Sequence, residues 1–208
     1  MSPPATKDVS PNNPCPFLRA LVDHGLLPDD VVAIKDVTKT IVRVSKTGDG
    51  SLALPAMAIR AIALIANGLS PLQIARNAFR GLRLNALRNG PLDKRGAGTR
   101  ILDHSAEVDP AELNRFDQFA SDKVAEDGSV ERGLSASEIV RMMDANFERA
   151  KGRRRRVDRS LMNGEWPILL RVLGKQGKSG RYLSVADVRR LSVERQLPER
   201  MLSRLREG

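Results

Sequence analysis

The sequence predicts an all-α fold: one compact multi-helix domain over residues 13–208, preceded by a flexible tail over residues 1–12. Three observations carry that expectation. Apolar residues recur at helical spacing from Pro16 onward, while β-type alternation is nearly absent. Helix-start strings with an acid three residues after a capping side chain stand at Asp109 and Ser135. Glycines and prolines interrupt the apolar stretches where helices would have to stop. A chain of 208 residues that is 41% hydrophobic is long enough to bury one ordinary core.

Taken in order, Phe17, Leu18, Leu21 and Val22 form an apolar stripe that opens at Pro16 and ends at Gly25 and Pro28. A second helix is expected from about Asp29 to Ser45, where Val32, Val37, Ile41 and Val44 recur. Gly48 and Gly50 mark a turn. The stretch from Leu52 to Ala66 is apolar nearly all round and reads as a central buried helix with Pro55 in its first turn. Ser70 and Pro71 open a helix to about Leu87, and RNGPLDKRGAGTR (88–100) reads as a loop. Asp109-Pro110-Ala111-Glu112 and Ser135-Ala136-Ser137-Glu138 are capping boxes, the second opening a helix that carries Met142, Met143 and Phe147 inward. GEWPILLRVLG gives a short buried helix from about Glu165, Ser184 to Asp187 caps another that ends before Pro198, and Met201 to Arg206 adds a last turn or two. No confident strand and no internal repeat are visible.

The start, MSPPATKDVSPNN, mixes charge and proline where a secretory leader would be apolar, and no run approaches the ~18 apolar residues of a membrane span. A cytoplasmic chain with no membrane association is expected. The excess of 35 basic over 25 acidic side chains gives a net charge of +10, concentrated in KGRRRRVDR at 151–159. That run serves either as a solvated loop or as a phosphate contact in a basic helical nucleic-acid binder. With one Trp, one Tyr and five Phe, the chain is poor in platforms for stacking bases. Asp127-Gly128 is a turn rather than a calcium loop, because the loop's first and twelfth positions would fall on Lys123 and Leu134.

The single cysteine, Cys15, stands between Pro14 and Pro16. Proline is favoured at the first helical position, so Cys15 is the expected N-cap, where free N–H groups and the positive end of the helix stabilise a thiolate. Such a sulfur is a nucleophile or a metal ligand. His24, nine residues on, lies roughly 13 Å away by helical rise and cannot serve it as a base; it is expected to hydrogen-bond a loop or cap its own helix. His104 is the other histidine. Ligation of iron suits a sulfur held by N–H donors.

The stretch PCPFLRALVDHGLLP, through Pro14, Cys15, Pro16, Leu18, Leu21, His24, Gly25, Leu27 and Pro28, resembles the N-terminal signature of the haem-thiolate peroxidases, the chloroperoxidase and unspecific peroxygenase family. The resemblance implies a chloroperoxidase-like helical fold with haem b as cofactor, Cys15 as the proximal ligand of the haem iron, and hydrogen peroxide used to oxidise or oxygenate a small organic substrate. HSAEVDPAELNRFD (104–117) resembles the family's acidic segment, which holds Mg2+ against a haem propionate, although its acids are displaced by a residue or more. Glu107, Asp109 and Glu112 are the candidate ligands of that cation, and Asp109 with Glu112 equally makes a helix cap. Gly164-Glu165, followed by ERQLP at 194–198, resembles the family's late segment. That likeness implies Glu165 as the distal acid–base group, since burial at the head of an apolar helix would raise its pKa toward a working range. A haem-binding or structural relative without peroxidase activity, and the nucleic-acid binder, stand as alternatives.

Overall fold

A computed structural model describes residues 9–46, 55–93 and 101–207. The expected turn at Gly48 and Gly50, and the 94–100 part of the expected loop, lie outside the described residues. The architecture is mixed α/β, with ten α-helices and two antiparallel sheets among the described residues, which corrects the all-α expectation. The strands escape hydrophobic patterning because they are short and largely polar. In β3 (Ser121–Val124) and β4 (Val130–Ser135), SDKV and VERGLS contain no sustained alternation, and neither do KQG and GRYLS in β5 (Lys175–Gly177) and β6 (Gly180–Ser184).

These four strands form one sheet in the order β3-β4-β6-β5. Two hairpins meet in it, each running straight into a helix: β3-β4 into α6 (Ala136–Arg149), β5-β6 into α9 (Val185–Val193). The same Leu-Ser-x-x-acid string ends both hairpins, and Leu134 pairs with Leu183 where the two units join. An approximate repeat that the sequence hides behind unequal loops is therefore present. Ser184 Oγ accepts the Asp187 N–H, and Glu138 Oε2 accepts the Ser135 N–H at 2.7 Å, so both cap expectations hold. Met142 and Met143 are buried, as expected of core.

The helical side begins with α1 (Pro16–Asp23). Val31 and Val32, expected in a helix, instead form β1 against β2 (Leu82–Arg83), so α2 starts only at Ile34 and runs to Lys46. The next helices, α3 (Ala56–Ile65) and α4 (Pro71–Arg80), pack against each other. The latter stops at Arg80 instead of Leu87 because Gly81 takes φ +93°, and a Cβ there would meet the Val32 carbonyl oxygen at 2.5 Å. After α5 (Pro110–Gln118) and the short α7 (Asp158–Leu161), α8 (Trp166–Leu173) crosses the interior, with Trp166 stacked on Phe116 at 5.0 Å between ring centroids. Last comes α10 (Glu199–Glu207), longer than the expected turn or two. Packing begins ahead of residue 13: Val9 is buried, the Ser10 N–H donates to Asp29 at 2.9 Å, and the Asn12 carbonyl accepts from Leu87 and Arg88. Among the described residues no helix is long and apolar enough to cross a membrane.

Candidate functional site

Between α1, α2, α3, α8 and α9 the structure leaves a half-open cavity of about 180 Å³ with almost wholly apolar walls. Val37 and Ile41 of α2 and Ile59, Ile62 and Ala63 of α3 supply one side, Ile168 and Leu169 of α8 another. Cys15 and Glu165 both line it. Two residues singled out from opposite ends of the sequence thus share one hollow.

Cys15 is the N-cap of α1, in the extended conformation that a following proline favours (φ −88°, ψ 111°). Its seat is built from below. Asn13, fully buried, accepts the Cys15 N–H on Oδ1 at 3.2 Å, and the buried Arg19 guanidinium clamps the carbonyls of Ser10 and Asn13 at 2.7 and 3.3 Å. The expected thiolate is corrected by this environment. Burial pushes the thiol up to about 11, and repulsion from Glu165 adds to it. The N–H groups of Leu18 and Phe17 pull the other way without closing a cap hydrogen bond to the side chain. Helix-terminal donors stabilise an anion only when desolvation is small, and here desolvation wins.

Glu165 stands immediately ahead of α8, with φ −111° and ψ −82°. Burial first, then the neighbouring Asp93 carboxylate, raises its pKa to about 8. Its Oε2 is buried without a hydrogen-bond partner among the described residues, and so is Nε1 of the adjacent Trp166. An orphaned carboxyl oxygen in an apolar hollow is costly unless something else meets it, which marks the position as a place for a ligand.

Asp93 lines the same cavity and is a functional candidate that sequence reasoning missed. Its Oδ2 accepts the Asn89 N–H at 2.7 Å, and Arg88 lies 3.6 Å from Oδ1. In sequence it looks like one more turn residue of a Gly-rich loop. The one available signal is that no other acid occurs between Asp49 and Asp93.

The remaining candidates do not join the site. Glu107 is exposed; Asp109 spends its Oδ1 capping α5 through the Ala111 and Glu112 N–H groups; Glu112 forms a two-pronged pair with Arg149 at 2.5 and 2.7 Å. The structure does not bring the expected divalent-cation set together: Asp109 and Glu112 are engaged elsewhere, Glu107 faces solvent, and among the described residues no three Asp, Glu, His or Cys side chains converge as a metal site. His24 accepts the Leu197 N–H at 3.4 Å, the loop contact expected of it, and His104 is exposed. The arginine run is largely tied into the fold: Arg154 lies over the Phe147 ring at 3.9 Å and bonds Glu148, Arg155 pairs with the buried Asp158, and Arg159 bonds Asp144 at 2.6 Å. No family model matches the chain, and no curated protein or solved structure matches it either.

Proposed function

We propose that this chain is a haem-thiolate protein that turns over hydrogen peroxide, in which Cys15 would hold the iron and Glu165 would be the acid–base group. The observation that supports it is the shared cavity: one sulfur and one orphaned carboxyl oxygen in otherwise apolar walls. A divalent-cation site would need converging carboxylates and a hydrolase a histidine beside the cysteine, and neither arrangement occurs among the described residues.

The residues fit such a group in chemistry and partly in size. Apolar walls suit a macrocycle, a lone sulfur at a helix mouth suits iron, and an acid without a protein partner suits the oxygen-binding side. The enclosed volume of about 180 Å³ exceeds the ~150 Å³ that houses a benzene ring and falls short of a whole porphyrin, so a macrocycle held here occupies the open mouth as well. No lysine or arginine lines the cavity, so its described residues offer no ion pair to propionates.

A bound haem supplies the two-electron chemistry with peroxide. This chain's residues do the rest. Cys15 would hold the iron as a thiolate, its proton passing to solvent, and the N–H groups of Leu18 and Phe17 would favour that charge. Glu165, when ionised, would accept a proton from peroxide at Oε2 and return it to the outer peroxide oxygen. The aliphatic walls keep bulk water from competing for that proton.

The proposal is tested by reconstitution with hemin, a pyridine haemochromogen assay and peroxide-dependent dye oxidation. Wild-type protein should hold haem and show the red-shifted ferrous–CO band of thiolate ligation, which Cys15→Ala should lose. Glu165→Gln should keep haem and lower turnover by roughly 10²-fold or more. Failure of the wild-type protein to retain haem overturns the reading; retained haem with no turnover favours the haem-binding relative without peroxide chemistry.

A further inference from the structure

The helix pair α3–α4 carries an apolar face turned outward. Met57 is 76% exposed, Leu72 80% and Phe79 90%, with Leu69 between the helices at 40%. In α4 the amphipathic pattern is inverted: Asn77 points inward, its side-chain amide donating to the Leu64 carbonyl at 2.8 Å, while Leu72, Ala75 and Phe79 share the solvent face at helical spacing. Scattered surface apolars need no explanation, but three nearly bare large side chains on one helical hairpin do.

Charge identifies what would cover them. Between Asp49 and Asp93 the chain has five arginines and no acidic residue or lysine. Arg60, Arg76 and Arg80 are exposed on the same two helices, with Arg76 and Arg80 flanking the Leu72–Phe79 stripe. A second copy of this face would bring like charges together. Met57, Leu72 and Phe79 each keep three quarters or more of their surface open, as protruding groups do. Protruding hydrocarbon bordered by arginine matches the boundary between anionic headgroups and acyl chains.

We propose that the α3–α4 hairpin docks on an anionic lipid surface, Leu72 and Phe79 entering the acyl boundary and Arg76 and Arg80 meeting headgroup phosphates. The absence of a spanning helix does not bear on this, because a helix that lies on a membrane needs only one apolar face. The inference is independent of haem. It departs from the expectation of no membrane association, which rested on the lack of a span. Helix α3 contributes Ile59 and Ala63 to the cavity from its inner face, so docking would set the cavity one helix away from the lipid.

The test is co-sedimentation of the full chain with phosphatidylcholine vesicles, with and without phosphatidylserine. Binding should require phosphatidylserine and weaken steeply with salt. Leu72→Ser with Phe79→Ser should weaken it by about tenfold or more, and Arg76→Gln with Arg80→Gln by about fivefold per charge. Both pairs are solvent-exposed, and circular dichroism verifies that each variant folds. No binding to phosphatidylserine vesicles overturns the proposal. So does binding that survives the Leu72/Phe79 change, or a wild-type dimer in sedimentation analysis that the same change dissolves.

Discussion

Cys15 and Glu165 hold their protons for one reason: each would place a charge in a hollow that offers little to solvate it. For Glu165 the sign of the consequence follows from linkage. Its folded pKa, about 8, lies above the ordinary 4.5, so between these values the folded state binds more protons than the unfolded chain. Stability contributed by the neutral form is present at low pH and is lost as pH rises through that window. Glu165→Gln, which cannot ionise, should flatten this slope in urea unfolding followed across the window; an unchanged slope would mean that Glu165 is not the group responsible. Asp93→Asn keeps an acceptor for the Asn89 N–H but removes the charge that adds to the effect of burial on Glu165. On the proposed function, a pH limb of peroxide turnover set by ionisation of Glu165 should then move to lower pH by up to about one unit, with little loss of maximal rate. A limb that stays in place would remove Asp93 from the site's electrostatics.

Capping acids do different work in different elements. Glu138 accepts from Ser121, Lys123 and the Ser135 backbone N–H, at 2.6, 2.7 and 2.7 Å, so it ties β3 to the head of α6. Despite the desolvation cost, these partners hold its pKa down at about 2. Being depressed, it contributes stability above the ordinary 4.5 that is lost as pH falls toward 2. Glu138→Ala should cost about 3 kcal/mol at neutral pH by leaving the Ser135 N–H without its acceptor and Lys123 with only the Ser121 hydroxyl, and should blunt the acid limb of thermal unfolding. Glu112→Ala, removing a two-pronged pair with the half-exposed Arg149, should cost less, about 1 kcal/mol. This contrast also explains what the sequence revealed at this level. Ser135-x-x-Glu138 and Ser184-x-x-Asp187 announced both helices because capping is local chemistry between residues three apart. The hairpins ahead of them were illegible because their pairing depends on partners elsewhere in the chain: Glu131, on β4, receives Lys175, Tyr182 and Ser184 from β5 and β6.

Across the whole molecule the cavity is the gap left where the helices of the N-terminal half meet α8 and α9. Cys15 was legible because helix-start chemistry is local and Glu165 only through the likeness of Gly164-Glu165 to a peroxidase segment, whereas the walls from α2 and α3, the approach of Asp93 and the size of the hollow depend on tertiary packing. An open apolar cavity forgoes packing that the rest of the core makes, so the ligand-free chain sits below its attainable stability. A ligand that binds only the folded state returns some of it: at a free concentration 100 times its Kd, the gain is about 2.7 kcal/mol. For a chain of this length that corresponds to a rise in Tm of roughly 5–10 °C. Hemin should produce this shift in wild-type protein by scanning calorimetry, and Cys15→Ala should lose most of it at the same concentration, because the apolar walls alone bind without the sulfur–iron bond. Equal shifts in both proteins would show that the hollow takes the macrocycle as hydrocarbon only and that Cys15 is not its ligand. No shift in either would place the porphyrin outside the cavity altogether.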